Sequence, residues 1–110
     1  MTRIEIFTAG KDIVGFAAAG HSGFAQYGED IVCAAVSVLT QTAVIGLQEV
    51  LGAGAAVEIS EGLLKCTLPP GLPEAVWQQS QLILKVMYAG LKAVFQEYGA
   101  EYLEIEEVEQ

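Results

Sequence analysis

The chain has 110 residues, of which 53% are apolar, and it carries a formal net charge of −9. This length predicts a single domain over residues 1–110. So acidic a surface repels phosphate backbones, which argues against direct binding to nucleic acid. It favours a cationic protein partner, although solubility and a solvated acidic C-terminal tail explain the charge more simply.

The sequence also argues against a membrane protein and an exported one. Gln41, Gln48 and Glu49 interrupt the longest apolar stretch, so we expect no run long enough to span a membrane. The first ten residues alternate like a strand and lack the basic and apolar regions of a signal peptide. We therefore expect a cytoplasmic protein.

The first half of the chain predicts two strands and a long helix. Alternating residues indicate a strand over Arg3–Thr8, and Ile13–Ala19 indicates a second, more buried strand. A glycine-rich loop is expected over Gly20–Gly28. A helix then runs from Asp30 to Leu51, and the glycine that follows it is a plausible C-terminal cap.

The second half repeats this order with shorter strands. Val57–Ser60 and Leu63–Leu68 predict a hairpin around Glu61-Gly62, a two-residue loop of the kind that type I′ turns prefer. Glu74–Tyr98 predicts a second helix, and Tyr102–Val108 an exposed edge strand. The order ββα, ββα, β predicts an α+β fold of two layers, with two helices on a mostly antiparallel sheet.

The first helix is apolar over most of its circumference, more than one stripe against a sheet requires. We therefore expect a second copy of the chain to cover part of it, as a homodimer. The exception is a polar line formed by Cys33, Ser37, Gln41 and Gln48, which is consistent with one wall of a cleft.

The chain's only histidine, His21, precedes Cys33 by twelve positions. A thiol becomes a nucleophile at neutral pH when a base is near and positive potential favours the thiolate. If the helix begins near residue 30, Cys33 lies in about its first turn, where unpaired N–H groups supply that potential and could hold an oxyanion. Glu29 and Asp30 oppose the thiolate unless they cap the helix or orient the histidine.

Simpler interpretations stand beside this one. A single histidine after a strand is commonly a surface residue, and a cysteine beside two alanines is commonly a packing residue. Cys66 alternates with leucines and is expected to point into the core. One histidine and two cysteines make a poor zinc site, and the glycine loop lacks both nucleotide-binding fingerprints, so we expect no metal and no cofactor.

The segment over residues 20–39 resembles the Prp family of ribosomal-processing cysteine proteases. Members carry a Gly-His loop followed by Gly-x-Asp-Ile-Val-Cys-Ala-Ala-x-Ser-x-Leu. The matching residues are Gly20, His21, Gly28, Asp30, Ile31, Val32, Cys33, Ala34, Ala35, Ser37 and Leu39. The length and element order extend the resemblance along the chain. One departure is Phe24, which keeps the ring but lacks the hydroxyl of the tyrosine found in many relatives.

The resemblance implies a cytoplasmic, homodimeric endopeptidase that removes the short N-terminal extension of large-subunit ribosomal protein twenty-seven. It implies Cys33 as nucleophile, His21 as general base and acid, and Asp30 as a supporting acid. Gly20, Phe24 and Ser37 would contact the peptide. The rival hypothesis is a non-catalytic homodimer that binds a basic ribosomal protein.

Overall fold

The computed structural model of the chain describes residues 1–20 and 27–110, with only the backbone of residues 27–30. The elements in chain order are β1 Thr2–Ala9, β2 Asp12–Ala19, α1 Tyr27–Ile45, a π-helical turn Gly46–Val50, β3 Ala56–Ser60, β4 Leu63–Thr67, α2 Glu74–Tyr98 and β5 Leu103–Glu109. This is the ββα, ββα, β order that the sequence predicts.

The five strands form one sheet in the order β3-β4-β2-β1-β5. Neighbours pair antiparallel except β1 and β5, which run parallel with Ile4 opposite Ile105. The predicted α+β fold with a mostly antiparallel sheet is confirmed. The prediction that the last strand lies at a sheet edge is also confirmed.

The core lies between the sheet and the two helices. Ile4 and Ile6 of β1 are fully buried, as is Phe16 of β2, and they pack with Val32 of α1 and Leu84 of α2. On the opposite face Arg3 forms an exposed ion pair with Glu104 at 3.1 Å, a kind of pair that contributes little to stability. The apolar alternation of the strands therefore sets which face receives the helices.

The boundaries of α1 differ from the prediction. The helix begins at Tyr27 rather than Asp30, so the last two residues of the expected loop are helical. Residues 21–26 of that loop lie outside the described residues. At the other end, α-helical geometry stops at Ile45 and a π-helical turn continues to Val50. Gly52 has a φ of +67°, which fits the predicted glycine after the helix end.

The turn between β3 and β4 is also corrected. Ser60 pairs with Leu63, so the loop has the predicted two residues. A type I′ turn requires a positive φ at both central positions, but only Gly62, at +72°, has one. The type I′ assignment is therefore wrong.

The hydropathy of α1 corrects a further expectation. By length and composition, the 20-residue segment Ile31–Val50 is apolar enough to cross a membrane, with a mean hydropathy of 1.8 over an 18-residue window. The two glutamines and one glutamate do not lower this mean enough to exclude a span. Core helices of soluble proteins pass the same test, so the result is weak evidence for a membrane segment.

Gly15 of β2 lies very close to the neighbouring strand β4. A Cβ atom on Gly15 would lie 2.5 Å from the backbone carbonyl oxygen of Cys66 and 2.9 Å from Cγ2 of Thr67. A backbone carbonyl in a paired strand cannot turn aside. Only glycine therefore allows β2 and β4 to approach in this way.

We predict that Gly15→Ala lowers the free energy of unfolding by about 1–3 kcal/mol, because the added methyl overpacks the sheet. Chemical denaturation measures the change. Gly20→Ala is the control directly after the same strand, since among the described residues its Cβ would meet only Thr2 Oγ1, at 3.9 Å. Equal stability of both variants and the parent would contradict the explanation.

Candidate active site

An open cleft of about 680 Å³ separates α1 from the β3–β4 side of the sheet. It exists because α1 leaves part of the sheet uncovered, so that Ile59 of β3 is 77% exposed. The helix wall is formed by Cys33, Val36, Ser37, Thr40, Gln41, Val44 and Ile45, and the facing wall by Thr2, Ala18, Gly20, Ile59, Gly62, Leu63 and Leu64. One wall therefore mixes polar and apolar groups, and the other is mainly apolar.

The predicted polar line is confirmed over most of its length. Cys33, Ser37 and Gln41 recur every four residues along α1 and all line the cleft. Gln48 does not line it, and its side chain instead lies 3.5 Å from the carbonyl oxygen of Ala55. Gln48 belongs to the π-helical turn that follows α1, beyond Ile45, the last residue of the helix wall.

Cys33 is half-buried on the cleft side of α1. Its Sγ lies 3.2 Å from the hydroxyl oxygen of Thr2, which is only 2% exposed. Because α1 begins at Tyr27, Cys33 is the seventh residue of the helix and not part of its first turn. The expectation that unpaired N–H groups at the helix start act on this sulfur is therefore wrong, since both they and the dipole effect belong to the first turn.

Cys66 behaves as the sequence predicts. It lies on β4, pairs across the sheet with Phe16, and is 1% exposed within the core. Burial raises the pKa of the Cys66 thiol to about 11, because a thiolate would be poorly solvated there. This cysteine is therefore a packing residue and a poor nucleophile at neutral pH.

The structure places part of the predicted site around the cleft. Gly20 and Ser37 both line it. The N–H of Gly20 donates to the carbonyl oxygen of Gly62 at 2.9 Å, which ties the end of β2 to the hairpin turn at the cleft rim. His21 and Phe24 lie outside the described residues, and so does the side chain of Asp30.

Sequence reasoning missed Thr2, a residue whose hydroxyl contacts the candidate nucleophile. The signal was its place in the strand alternation, since Thr2 shares the inward face of β1 with Ile4 and Ile6. A polar residue at an inward position must find a partner. As for metal ligands, the described part of the chain contains no group of three or more His, Cys, Asp or Glu residues able to hold an ion.

Comparison with known proteins gives the family. The sequence model of the family described as "Cysteine protease Prp" matches residues 1–103. The chain belongs to the Prp family of cysteine proteases. It is 30% identical over 90 residues to the ribosomal processing cysteine protease Prp of Bacillus subtilis (strain 168), a match that covers 80% of each protein.

Solved structures share the Prp fold along the whole chain. A crystal structure of a Streptococcus mutans protein superposes with a TM-score of 0.84 at 21% identity, covering 100% of this chain and 96% of the other. The Prp protease of S. aureus, solved with a covalently linked product peptide, gives a TM-score of 0.80 at 21% identity and covers 98% and 100%. The resemblance stated from the sequence is confirmed, and the chain is a cysteine protease by its family.

The different environments of the two thiols predict selective alkylation. At pH 7 iodoacetamide should modify Cys33, which faces the cleft, well before Cys66. Because the pKa of Cys66 is raised to about 11, its reaction in the folded protein should accelerate only as the pH approaches that value. Mass spectrometry of the digested protein measures both rates.

The unfolded protein is the control for this measurement. In denaturant both thiols should react at similar rates, since burial no longer separates them. Equal rates at pH 7 in the folded protein would contradict the assignment of Cys66 to the core.

Proposed function

We propose that this protein is the cytoplasmic endopeptidase that removes the short N-terminal extension of large-subunit ribosomal protein twenty-seven. The observation that carries the proposal is the position of Cys33. Its sulfur lies on the wall of the open cleft of about 680 Å³, and Cys33 follows the chain's only histidine by twelve positions.

The proposed reaction begins with the Cys33 thiolate. Its sulfur attacks the carbonyl carbon of the scissile peptide bond, and the tetrahedral intermediate collapses to a thioester. His21 has taken the thiol proton and gives it to the departing amine. Water then adds to the thioester with His21 as base, which releases the acid product and restores the thiol. Asp30 supports the charge that His21 acquires.

The cleft suits an extended peptide with an apolar side chain. Ile59, Leu63 and Leu64 offer apolar contact on one wall, while Ser37 and Gln41 offer hydrogen-bonding groups on the other. We assign Gly20, Ser37 and Phe24 to peptide contact. The net charge of −9 attracts a basic segment of a ribosomal protein. The S. aureus relative has been solved with a substrate peptide and with a covalently linked product peptide, which supports a peptide substrate here.

Cys33→Ala should lower the rate of extension removal by at least about a thousandfold, because no other group replaces the attacking sulfur. Cleavage of the precursor ribosomal protein, followed by mass spectrometry, measures the effect. Cys66→Ala is the matched control and should retain the parental rate, with a loss of stability of about 1 kcal/mol from the small core cavity.

Two results would contradict this proposal. If Cys33→Ala still cleaves the extension, Cys33 is not the nucleophile. If the parental enzyme cleaves other peptides but not the ribosomal extension, the protein is a protease and the proposed substrate is wrong.

We further propose that the protease is a homodimer assembled through the outer face of its helices. Apolar residues on this face are well exposed. Val38 of α1 is 65% exposed, and Leu82 and Val86 of α2 are 69% and 64% exposed. Exposed apolar residues grouped on adjacent helices are typical of an interface between subunits. A second copy would bury the surface that makes α1 apolar beyond the needs of the sheet.

Val86→Glu should convert the dimer to a monomer, because a buried, unpaired charge at an interface is strongly unfavourable. Sedimentation velocity measures the mass. Gln96→Glu, which adds the same charge at an exposed polar position of α2, should leave the dimer intact. A parental protein that sediments as a monomer at all concentrations would contradict the assembly.

A further inference from the structure

Thr2 makes the contact with Cys33 that the proposed mechanism does not yet use. Its Oγ1 lies 3.2 Å from Cys33 Sγ, within hydrogen-bonding distance for a hydroxyl and a sulfur. Thr2 is 2% exposed, so solvent does not compete for the hydroxyl. The two residues lie 31 positions apart, and the contact therefore joins the start of the sheet to the helix.

The backbone holds Thr2 in place. Its N–H donates to the carbonyl oxygen of Tyr102 at 3.1 Å, and in the parallel pairing of β1 with β5 it lies opposite Leu103. A β-branched side chain in a strand has few rotamers. The hydroxyl is therefore directed at the helix by a paired strand and not by a mobile loop.

Thr2 also lies beside Gly20, directly after the end of β2. A Cβ placed on Gly20 would be 3.9 Å from Thr2 Oγ1, so the hydroxyl borders the residue that immediately precedes His21. The same hydroxyl thus lies between the end of β2 and the sulfur on α1.

The chemistry of the thiolate decides the direction of this hydrogen bond. A thiolate has no hydrogen and can only accept, so the Thr2 hydroxyl has to donate to it. A donor to the charged form stabilises that form. Since Cys33 lies beyond the first turn of α1, the helix start does not supply this donor.

We propose that Thr2 is a positioning residue whose hydroxyl donates a hydrogen bond to the Cys33 thiolate and holds Sγ at the cleft. The inference rests on the proposed role of Cys33 as nucleophile. No charged residue is found among the described residues that line the cleft. Besides Cys33, the titratable groups that the proposed function assigns to this site are His21 and Asp30.

The hydrogen bond has opposite effects on the reactivity of Cys33 at neutral and at high pH. At neutral pH it increases the fraction of thiolate, which accelerates reaction. At high pH, where every Cys33 is ionised, the donor only withdraws electron density from the sulfur, and a less basic thiolate is a weaker nucleophile. Removing the hydroxyl should therefore slow the reaction at neutral pH and leave it equal or faster at high pH.

The test compares Thr2→Val with Thr2→Ser. Valine keeps the shape of threonine without the hydroxyl, and serine keeps the hydroxyl without the methyl. At pH 7 Thr2→Val should lower both the rate of Cys33 alkylation by iodoacetamide and the kcat/KM for peptide cleavage by roughly tenfold. The pH profile of the Thr2→Val alkylation rate should move to higher pH. At the alkaline end, the rate of the variant should equal or exceed the parental rate. Thr2→Ser should restore most of both rates.

Thr8→Val is the matched control. It makes the same substitution at the far end of β1, where the hydroxyl donates to Glu109 instead of facing the cleft. Both its alkylation profile and its peptide cleavage should be parental. If Thr2→Val does not fold, Thr2→Ala against Thr2→Ser gives the same comparison.

A folded Thr2→Val with the parental pH profile, or a Thr2→Ser as slow as Thr2→Val, would overturn the inference. Failure of the proposed function is recognised separately, by cleavage that persists in Cys33→Ala. An inactive Cys33→Ala together with an unchanged Thr2→Val profile would overturn only the role of Thr2. If the alkylation profile of Thr2→Val is shifted but Cys33→Ala is still active, the hydrogen bond exists and Cys33 is not the nucleophile.

Discussion

Incomplete cover of the sheet by α1 is the constraint on which the rest of the structure depends. Val32 and Val36 anchor the helix in the core beside Ile4 and Phe16. Beyond this anchor, Ile59 at the sheet edge stays exposed, and the space between becomes the cleft. One face of α1 therefore packs in the core, and a neighbouring face, which carries Cys33, lines the cleft. Because both faces belong to one rigid helix, core packing fixes the position of the Cys33 sulfur.

The second feature is that the proposed nucleophile lies inside a helix. Many activated thiols use the unpaired N–H groups and partial charge at a helix start. Cys33 lies beyond that first turn, and the structure offers a buried hydroxyl from β1 in its place. The proposed base, His21, belongs to the segment that connects β2 to α1. The proposed site therefore takes its residues from a strand, a helix and the connection before that helix.

The sequence correctly predicts the features that depend on neighbouring residues, such as helix ends and strand alternation. Pro73 and Gly99 flank α2, and the predicted range Glu74–Tyr98 is the observed one. The alternation around Cys66 correctly predicted a core thiol. The predicted start of α1 is too late, because the glycine pattern assigns Gly28 to the preceding loop, whereas the helix begins at Tyr27. One glycine costs a helix only about 1 kcal/mol, less than a long apolar helix gains by packing. The contact between Thr2 and Cys33 is tertiary, and a sequence gives the face of each residue but not the partner across the core.

If Cys33 is the nucleophile, its sulfur becomes bonded to the substrate during cleavage. The most direct measurement is rapid acid quench of the enzyme with a slowly hydrolysed peptide ester, followed by peptide mapping. The account predicts that the N-terminal part of the substrate is attached to Cys33 as a thioester, and that the adduct disappears as product forms. Product formation without an adduct on Cys33, or with the adduct on another residue, would contradict it.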